Sequence, residues 1–330
     1  KINLNFKGDS PADVIHSMSV GLRGFSSSYK KLKPDLIVLL GDRYEIFTAA
    51  AAAMIQNIPI AHIHGGEVTE GAYDEAIRHS ISKMSHLHFV AAPEYRKRVM
   101  QLGENPKSVF TVGGLGVDAM KDLSLLDKIS LEKLMKFKFG QRNLLVTIHP
   151  ETLEAKKQQL KNIKSLLSAL KNIQETNFIF TMPNADHYNE QIAHLIKDFC
   201  FKNSKNCSLY PSLGQLKYFS ALQYVDGVIG NSSSGLLEVP SFQKGTINLG
   251  NRQGGRLKAA SVIDCDFDKS NILKAVKKLY SKNFQTKLSL AKNPYGAPGA
   301  SLKIYNKIRT IPLDSILQKK FYDLPINPRQ

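Results

Sequence analysis

Val225-Asp226-Gly227-Val228-Ile229-Gly230-Asn231-Ser232-Ser233-Ser234-Gly235-Leu236-Leu237-Glu238 is the stretch from which the rest of the chain can be read. The apolar run ending at Ile229 predicts a buried strand, and Leu236-Leu237-Glu238-Val239 predicts the opening of a helix. Small hydroxyl residues at a strand-to-helix turn leave several backbone N–H groups free. Those groups and the helix dipole make an anion site. Ser232 and Ser233 add hydroxyl donors, and Glu238, placed near the first helical turn, offers a carboxylate to sugar hydroxyls. A nucleotide diphosphate suits that geometry. A serine cap without a ligand is the plain alternative.

The same strand-then-helix alternation runs outward in both directions. Upstream, strands are predicted at Asp35–Leu40, Pro59–His64, His86–Ala91 and Val109–Val112, with helices at Tyr44–Gln56, Asp74–Met84 and Glu94–Leu102. A charged connector, Asp118 to Gly140, precedes a second series. Its strands are Leu144–Ile148, Phe178–Thr181, Ser208–Tyr210, the run to Ile229, and Gly245–Leu249; its helices are Ala155–Ile173, Tyr188–Phe201, Gln215–Gln223 and Ser270–Tyr280. Repeated units of this length imply an α/β fold with parallel sheets and right-handed crossovers. Two series imply two Rossmann-like domains, residues 1–140 and 141–300, with ligands at the carboxyl ends of the strands in the cleft between them.

Composition narrows the function. The formal charge of +17 favours phosphate-bearing partners. Nucleic acid is not expected, because the lysines are dispersed on helix faces, as at Lys156, Lys157, Lys161, Lys164 and Lys171, without interleaved aromatics. No run of 18 apolar residues predicts a membrane span and no signal peptide is visible. Cys200, Cys207 and Cys265 form neither a CxxC pair nor a disulfide framework, so a reducing cytoplasm is the expected compartment.

Polar residues gather at the predicted strand ends. Gly41-Asp42-Arg43 follows the first strand, where Asp42 is either a helix cap or a base and Arg43 either a surface charge or a phosphate clamp. His62-Ile63-His64-Gly65-Gly66-Glu67 ends the next. Alternation puts His62 and His64 on one face. With Glu67 they can be drawn as a zinc site, but no third ligand has a recognisable spacing, so no metal is expected. His62 reads as a satisfied buried histidine and His64 as the better proton-transfer group. Asp74 and Arg78, four apart, can pair on a helix. His149 ends the first strand of the second series, Asn184 follows the next, and Arg252 and Arg256 flank Gly254-Gly255. Each signal is weak alone. Their joint placement argues for an enzyme acting on a phosphate-bearing substrate.

These motifs, GDRYE (Gly41–Glu45), HIHGGEVTEGAYDEAIRHSISKMSHLHF (His62–Phe89), VGGLGVD (Val112–Asp118), MPNAD (Met182–Asp186), GNSSSGLLEVPSF (Gly230–Phe242) and GNRQGGR (Gly250–Arg256), resemble the hydrolysing UDP-N-acetylglucosamine 2-epimerases of nonulosonic acid synthesis. The resemblance covers nearly the whole chain. It implies a glycosyltransferase-B-like pair of domains, a C-terminal tail (301–330) crossing back to the first, and a homodimer or homotetramer. It implies elimination of UDP to a 2-acetamidoglucal and then addition of water with inversion at C2, giving N-acetylmannosamine, with no cofactor. It places Asp42, Asp74, Glu75 and His64 in the catalytic set. Arg43, Glu67, His149, Asn184, Ser232, Ser233, Ser234, Glu238 and Arg256 fall in the substrate- and nucleotide-binding set. Two departures stand out. Many relatives have Glu at the position of His64. The family's opening strand and Gly-Thr-Arg turn are missing from this sequence, so the first sheet is expected to lack its first strands. A related subgroup acts on a UDP- or GDP-linked 2,4-diacetamido-2,4,6-trideoxyhexose for legionaminic acid. A glycosyltransferase, a non-hydrolysing epimerase and an inactive nucleotide-sugar binder are the competing readings.

Overall fold

The computed structural model describes residues 1–4, 8, 10–70, 73–121, 123–151, 154–183 and 189–325. The chain divides into two compact units: Lys1–Thr69, Tyr73–Asp118 and Tyr295–Gln330 form the first, and Ala119–Pro294 with Glu70–Ala72 form the second. The boundary therefore falls after Asp118 and not at residue 140. The reason is burial: Leu131, Met135 and Phe137 of the connector pack with Leu145, Ile179 and Val228. The return to the first unit likewise begins at Tyr295, ahead of residue 301. Asp118 accepts the backbone N–H groups of Gly299, Ala300 and Ser301, which caps the helix Ala300–Thr310.

The first unit holds a parallel sheet in the order β1 (Ile37–Leu40), β2 (Ile60–Ile63), β3 (Leu87–Val90), β4 (Val109–Thr111). β2 and β3 are buried at every residue, as expected for strands covered on both faces. One face packs Leu39, Ala49, Ala53, Ile60 and Ile81; the other packs Ala61, Ile63, Leu87, Phe89 and Ile304. β1 ends the order, and its Val38 and Leu40 are 49% and 52% exposed. The 22-residue helix Pro11–Leu32 is absent from the sequence reading. It forms because Ser10 and Asp13 make a reciprocal capping box, with Pro11 at the first helical position. It packs on the alanine-rich helix Tyr44–Ile55, where Tyr29 Oη donates to the Ala49 carbonyl at 3.3 Å.

The second unit holds a six-stranded parallel sheet. Its strands are β5 (Arg142–Thr147), β6 (Thr176–Thr181), β7 (Cys207–Tyr210), β8 (Gly227–Gly230), β9 (Gly245–Leu249) and β10 (Val262–Cys265). The spatial order is β10-β9-β8-β5-β6-β7. The winding reverses between β5 and β8, the dinucleotide-fold arrangement in which ligands sit outside that switch point. β10 and the helix Lys282–Leu290 also escape the sequence reading. Among the described residues no helix is long and apolar enough to cross a membrane.

Candidate active site

In the first unit the carboxyl ends of β1 and β2 present the polar residues. His62 is fully buried and bridges the two strand ends, with Nε2 2.9 Å from the Gly41 carbonyl and Nδ1 3.1 Å from Ser82 Oγ. Burial pushes its imidazole down to about 3, despite the Gly41 contact. Both ring nitrogens are used inside the protein, so His62 is not placed to ligate zinc with His64. The alternation expected for the two histidines also ends here. His64 lies beyond the strand in the left-handed region (φ 67°), a conformation that costs a non-glycine residue about 1 kcal/mol. Gly66 (φ 77°) follows, and a Cβ there would meet the Tyr95 carbonyl oxygen at 2.5 Å, so the turn requires glycine.

Arg78, one turn into the helix Asp74–Met84, organises this end. It is 1% exposed, and all five of its N–H donors are taken. Nε and Nη2 donate to Asp42 Oδ2, Nη2 also to Thr69 Oγ1 (2.7 Å), and Nη1 to the Glu67 carbonyl (2.8 Å) and Glu75 Oε2 (2.5 Å). The expected Asp74–Arg78 surface pair is thus replaced by a buried clamp on Glu75 and on Asp42, 36 residues away. Burial alone lowers the guanidinium, but Asp42 and Glu75 outweigh it and the net shift is upward. Glu75 goes the other way. Burial raises it, yet the Thr69 N–H (2.7 Å), Arg78 and His79 (3.0 Å) together hold it below the usual carboxylate range. Both contacts to Asp42 fall on Oδ2. Among the described residues Oδ1 has no partner, and the side chain is 25% exposed.

The remaining residues of this set lie differently. Asp74 is the first residue of the helix. Arg43 is an exposed residue held by Glu45 at 3.1 Å, not a formed phosphate clamp. Glu67 is buried and bonds His64 Nδ1 at 2.6 Å.

In the second unit Asn231 does the organising. It follows Gly230 (φ 151°), where a Cβ would lie 1.8 Å from the Thr147 carbonyl oxygen, so only glycine lets β8 pass β5 this closely. Asn231 Oδ1 accepts from the His149 backbone N–H (2.8 Å), and Nδ2 donates to the His149 carbonyl (2.9 Å). The Asn231 carbonyl accepts from Arg252 (3.1 Å) and Gln253 (2.8 Å). One buried amide therefore joins both strands of the switch point to the Gly250–Arg256 loop, which carries Arg256. Burial, and Arg252 after it, lowers the His149 imidazole to about 4.

The serine turn differs from its expected form. The helix after it is a single turn, Ser234–Leu237, followed by a 3₁₀ turn, so Glu238 stands at its end and not in its first turn. A single helical turn carries little of the helix dipole. Ser234 Oγ is engaged by Tyr218 Oη at 2.5 Å, and Ser233 makes no side-chain cap. The backbone donors are in place: among the described residues the N–H groups of Ser232, Ser233 and Ser234 meet no acceptor. Ser232, Ser234, Glu238, His149, Thr147, Thr181 and Tyr218 line a pocket of about 360 Å³ that continues over Pro211–Gln215. Asn184 lies outside the described residues.

Asn231, Gln253 and Tyr218 are the residues the sequence reading passed over, while Arg78 was read as a partner of Asp74 and not of Asp42 and Glu75. Asn231 and Gln253 sit inside quoted motifs. Tyr218 carried no signal.

A family model described as UDP-N-acetylglucosamine 2-epimerase matches residues 1–309. The GDP/UDP-N,N'-diacetylbacillosamine 2-epimerase (hydrolyzing) of Campylobacter jejuni is 42% identical over 98% of this chain and 84% of its own. The polysialic acid biosynthesis protein P7 of Escherichia coli is 41% identical over 98% and 82%. The UDP-N,N'-diacetylbacillosamine 2-epimerase (hydrolyzing) of Legionella pneumophila is 32% identical over 91% and 77%. Among solved structures, UDP-GlcNAc 2-epimerase from Neisseria meningitidis bound to UDP-GlcNAc superposes with a TM-score of 0.80 at 21% identity, over 93% of this chain and 84% of that one. That likeness is one of fold: two α/β units with parallel sheets, glycosyltransferase-B-like.

Proposed function

The chain belongs to the UDP-N-acetylglucosamine 2-epimerase family, and from that premise we propose that it is a hydrolysing 2-epimerase of a nucleotide-linked 2-acetamido sugar. The carrying observation is the Arg78 clamp, which holds Asp42 and Glu75 as a fixed pair and leaves one oxygen of Asp42 open. Removal of a C2 proton needs a carboxylate held in place with a lone pair to spare. Departure of a nucleoside diphosphate needs donors that await negative charge, and the three N–H groups of Ser232–Ser234 are of that kind. In the first half-reaction the C2–H bond breaks to a base, C1=C2 forms, and the C1–O bond breaks with its electrons leaving on UDP. In the second, water adds its oxygen to C1 and a proton reaches C2 from the opposite face. Asp42, Asp74, Glu75 and His64 carry the proton transfers; His149, Ser232, Ser233, Glu238 and Arg256 hold the nucleotide. The products pass into nonulosonic acid synthesis in the cytoplasm.

The sequence alone puts UDP-N-acetylglucosamine first. The 42% and 32% identity to two diacetylbacillosamine epimerases supports the trideoxy sugar instead, carried on UDP or GDP. A UDP-N-acetylglucosamine 2-epimerase of Neisseria meningitidis at 30% identity over 76% of the chain keeps the acetylglucosamine reading as the second. Steady-state release of nucleoside diphosphate from UDP-N-acetylglucosamine, UDP-diacetylbacillosamine and GDP-diacetylbacillosamine decides the order. The expected result is at least tenfold higher kcat/KM for a diacetylbacillosamine donor; a preference for UDP-N-acetylglucosamine reverses the assignment, and release from none of the three sinks the proposed activity.

A further inference from the structure

The turn after β2 gives the two nitrogens of His64 opposite surroundings. Nδ1 lies 2.6 Å from Glu67 Oε1, and Nε2 lies 3.3 Å from the backbone nitrogen of Leu115. An amide N–H only donates, so Nε2 carries no hydrogen in this contact. The ring proton of the neutral imidazole therefore sits on Nδ1, against the carboxylate. Two independent neighbours, from two different turns, select the same tautomer.

Glu67 is itself fixed. It is 4% exposed. Its carbonyl accepts from Arg78, and the neighbouring Gly66 carbonyl accepts from Arg98. His62 on β2 interacts electrostatically with His64, and Arg78, with its partners Asp42 and Glu75, does so with Glu67. None of these bonds to the imidazole among the described residues.

We propose that Glu67 is a positioning residue that locks His64 in its Nδ1–H form, so that Nε2 keeps a lone pair and serves as a proton acceptor. This assigns Glu67 a different part from the substrate ligand the sequence suggested, and it rests on the epimerase reading only for which proton is moved. The step balances simply. A proton leaves carbon or water, its bonding pair stays behind, and Nε2 takes it; the Nδ1–H remains, and the imidazolium lies beside the Glu67 carboxylate. The Leu115 N–H, the longer of the two contacts, gives way, because two donors cannot face each other. Returning the proton from Nε2 restores the starting contact.

The test uses the full chain labelled with ¹⁵N-histidine, with His64→Gln identifying the resonance. Long-range ¹H–¹⁵N spectra near neutral pH are expected to show Nδ1 protonated and Nε2 bare in the wild type. The reverse pattern overturns the proposal, whatever any nucleotide sugar does, so failure of the epimerase reading and failure of this inference are separable. For function, Glu67→Gln is expected to lower kcat by about 10²-fold or more, to move the acid limb of its pH profile to lower pH, and to leave UDP affinity within about twofold. Wild-type turnover in Glu67→Gln, or a loss confined to UDP affinity, also overturns it. If Glu67→Gln does not fold, Glu67→Asp with the same three readouts takes its place.

Discussion

The two units fill their interiors with opposite kinds of polarity. The first buries charge. Arg78 holds two carboxylates at the carboxyl end of its sheet. At the other end Glu104, 2% exposed, takes Lys83 (2.6 Å), both contacts of Lys319 (2.9 Å) and His88 (3.1 Å). The second pairs neutral groups: Asn231 with His149 in the interior, and, half-buried, Thr147 with Thr181 (2.7 Å) and Tyr218 with Ser234. A buried charge stripped of its partner is far more costly than a buried amide stripped of its own. The first unit is therefore the one that a single side-chain change should break, and the second the one that should lose affinity before it loses its fold.

The largest contrast is expected from Arg78→Met. Removing the guanidinium leaves Asp42 and Glu75 uncompensated and should destabilise the first unit by about 3–5 kcal/mol. Urea unfolding followed by probes in each unit checks this, while UDP binding to the second unit is retained. Equal loss in both units would erase the distinction.

Acid sharpens it further. His62 (about 3) and His86 (about 4) lie below the ordinary imidazole value of about 6.5, and His88 is lowered as well, in each case chiefly by burial. The second unit has His149 (about 4). Below pH 6.5 the unfolded chain binds protons that the fold refuses, so stability falls as pH falls, by up to about 1.4 kcal/mol per pH unit for each such histidine. The half-buried His86 contributes less. Glu151, raised by burial and by Glu154, takes up its proton in the folded second unit first and so opposes the loss there. Hydrogen exchange between pH 6.5 and 4.5 should show β2 and β3 losing protection before β5 and β8; the reverse order contradicts the comparison.

Asn231→Ala should cost about 2 kcal/mol, since it strands the buried N–H and carbonyl of His149. Calorimetry is expected to show at least tenfold weaker UDP binding with the first unit undisturbed. The smallest effect is expected at Lys319→Met, about 1 kcal/mol, because Lys83 and His88 still face Glu104. Limited proteolysis should then cut between residues 311 and 325 sooner than in the wild type, whereas an unchanged cleavage pattern would mean that Lys319 does not hold that segment.

The strands were legible because buried parallel strands read as short apolar runs, and the rule that ligands sit at their carboxyl ends placed Asp42, His64, His149 and the serine turn correctly as polar residues at strand ends. What escaped was non-local or irregular. Spacing along a helix offers Asp74 to Arg78, but the fold supplies Asp42 from another strand. Period-2 alternation pairs His62 with His64, but the strand stops at Ile63 and a left-handed residue turns the second ring toward Glu67. The helix Pro11–Leu32, with Gly21, Gly24 and a run of serines, shows a weak pattern, although its capping box was written in Ser10-Pro11-Ala12-Asp13. β10 is short, and its burial is broken along its length.

An NMR time course in D₂O, with UDP-linked diacetylbacillosamine and UDP-N-acetylglucosamine in parallel, tests the hydrolysing 2-epimerase activity itself. Free UDP is expected together with a released sugar that is inverted and deuterated at C2. Released sugar without deuterium at C2, or an inverted sugar still attached to UDP, would contradict it.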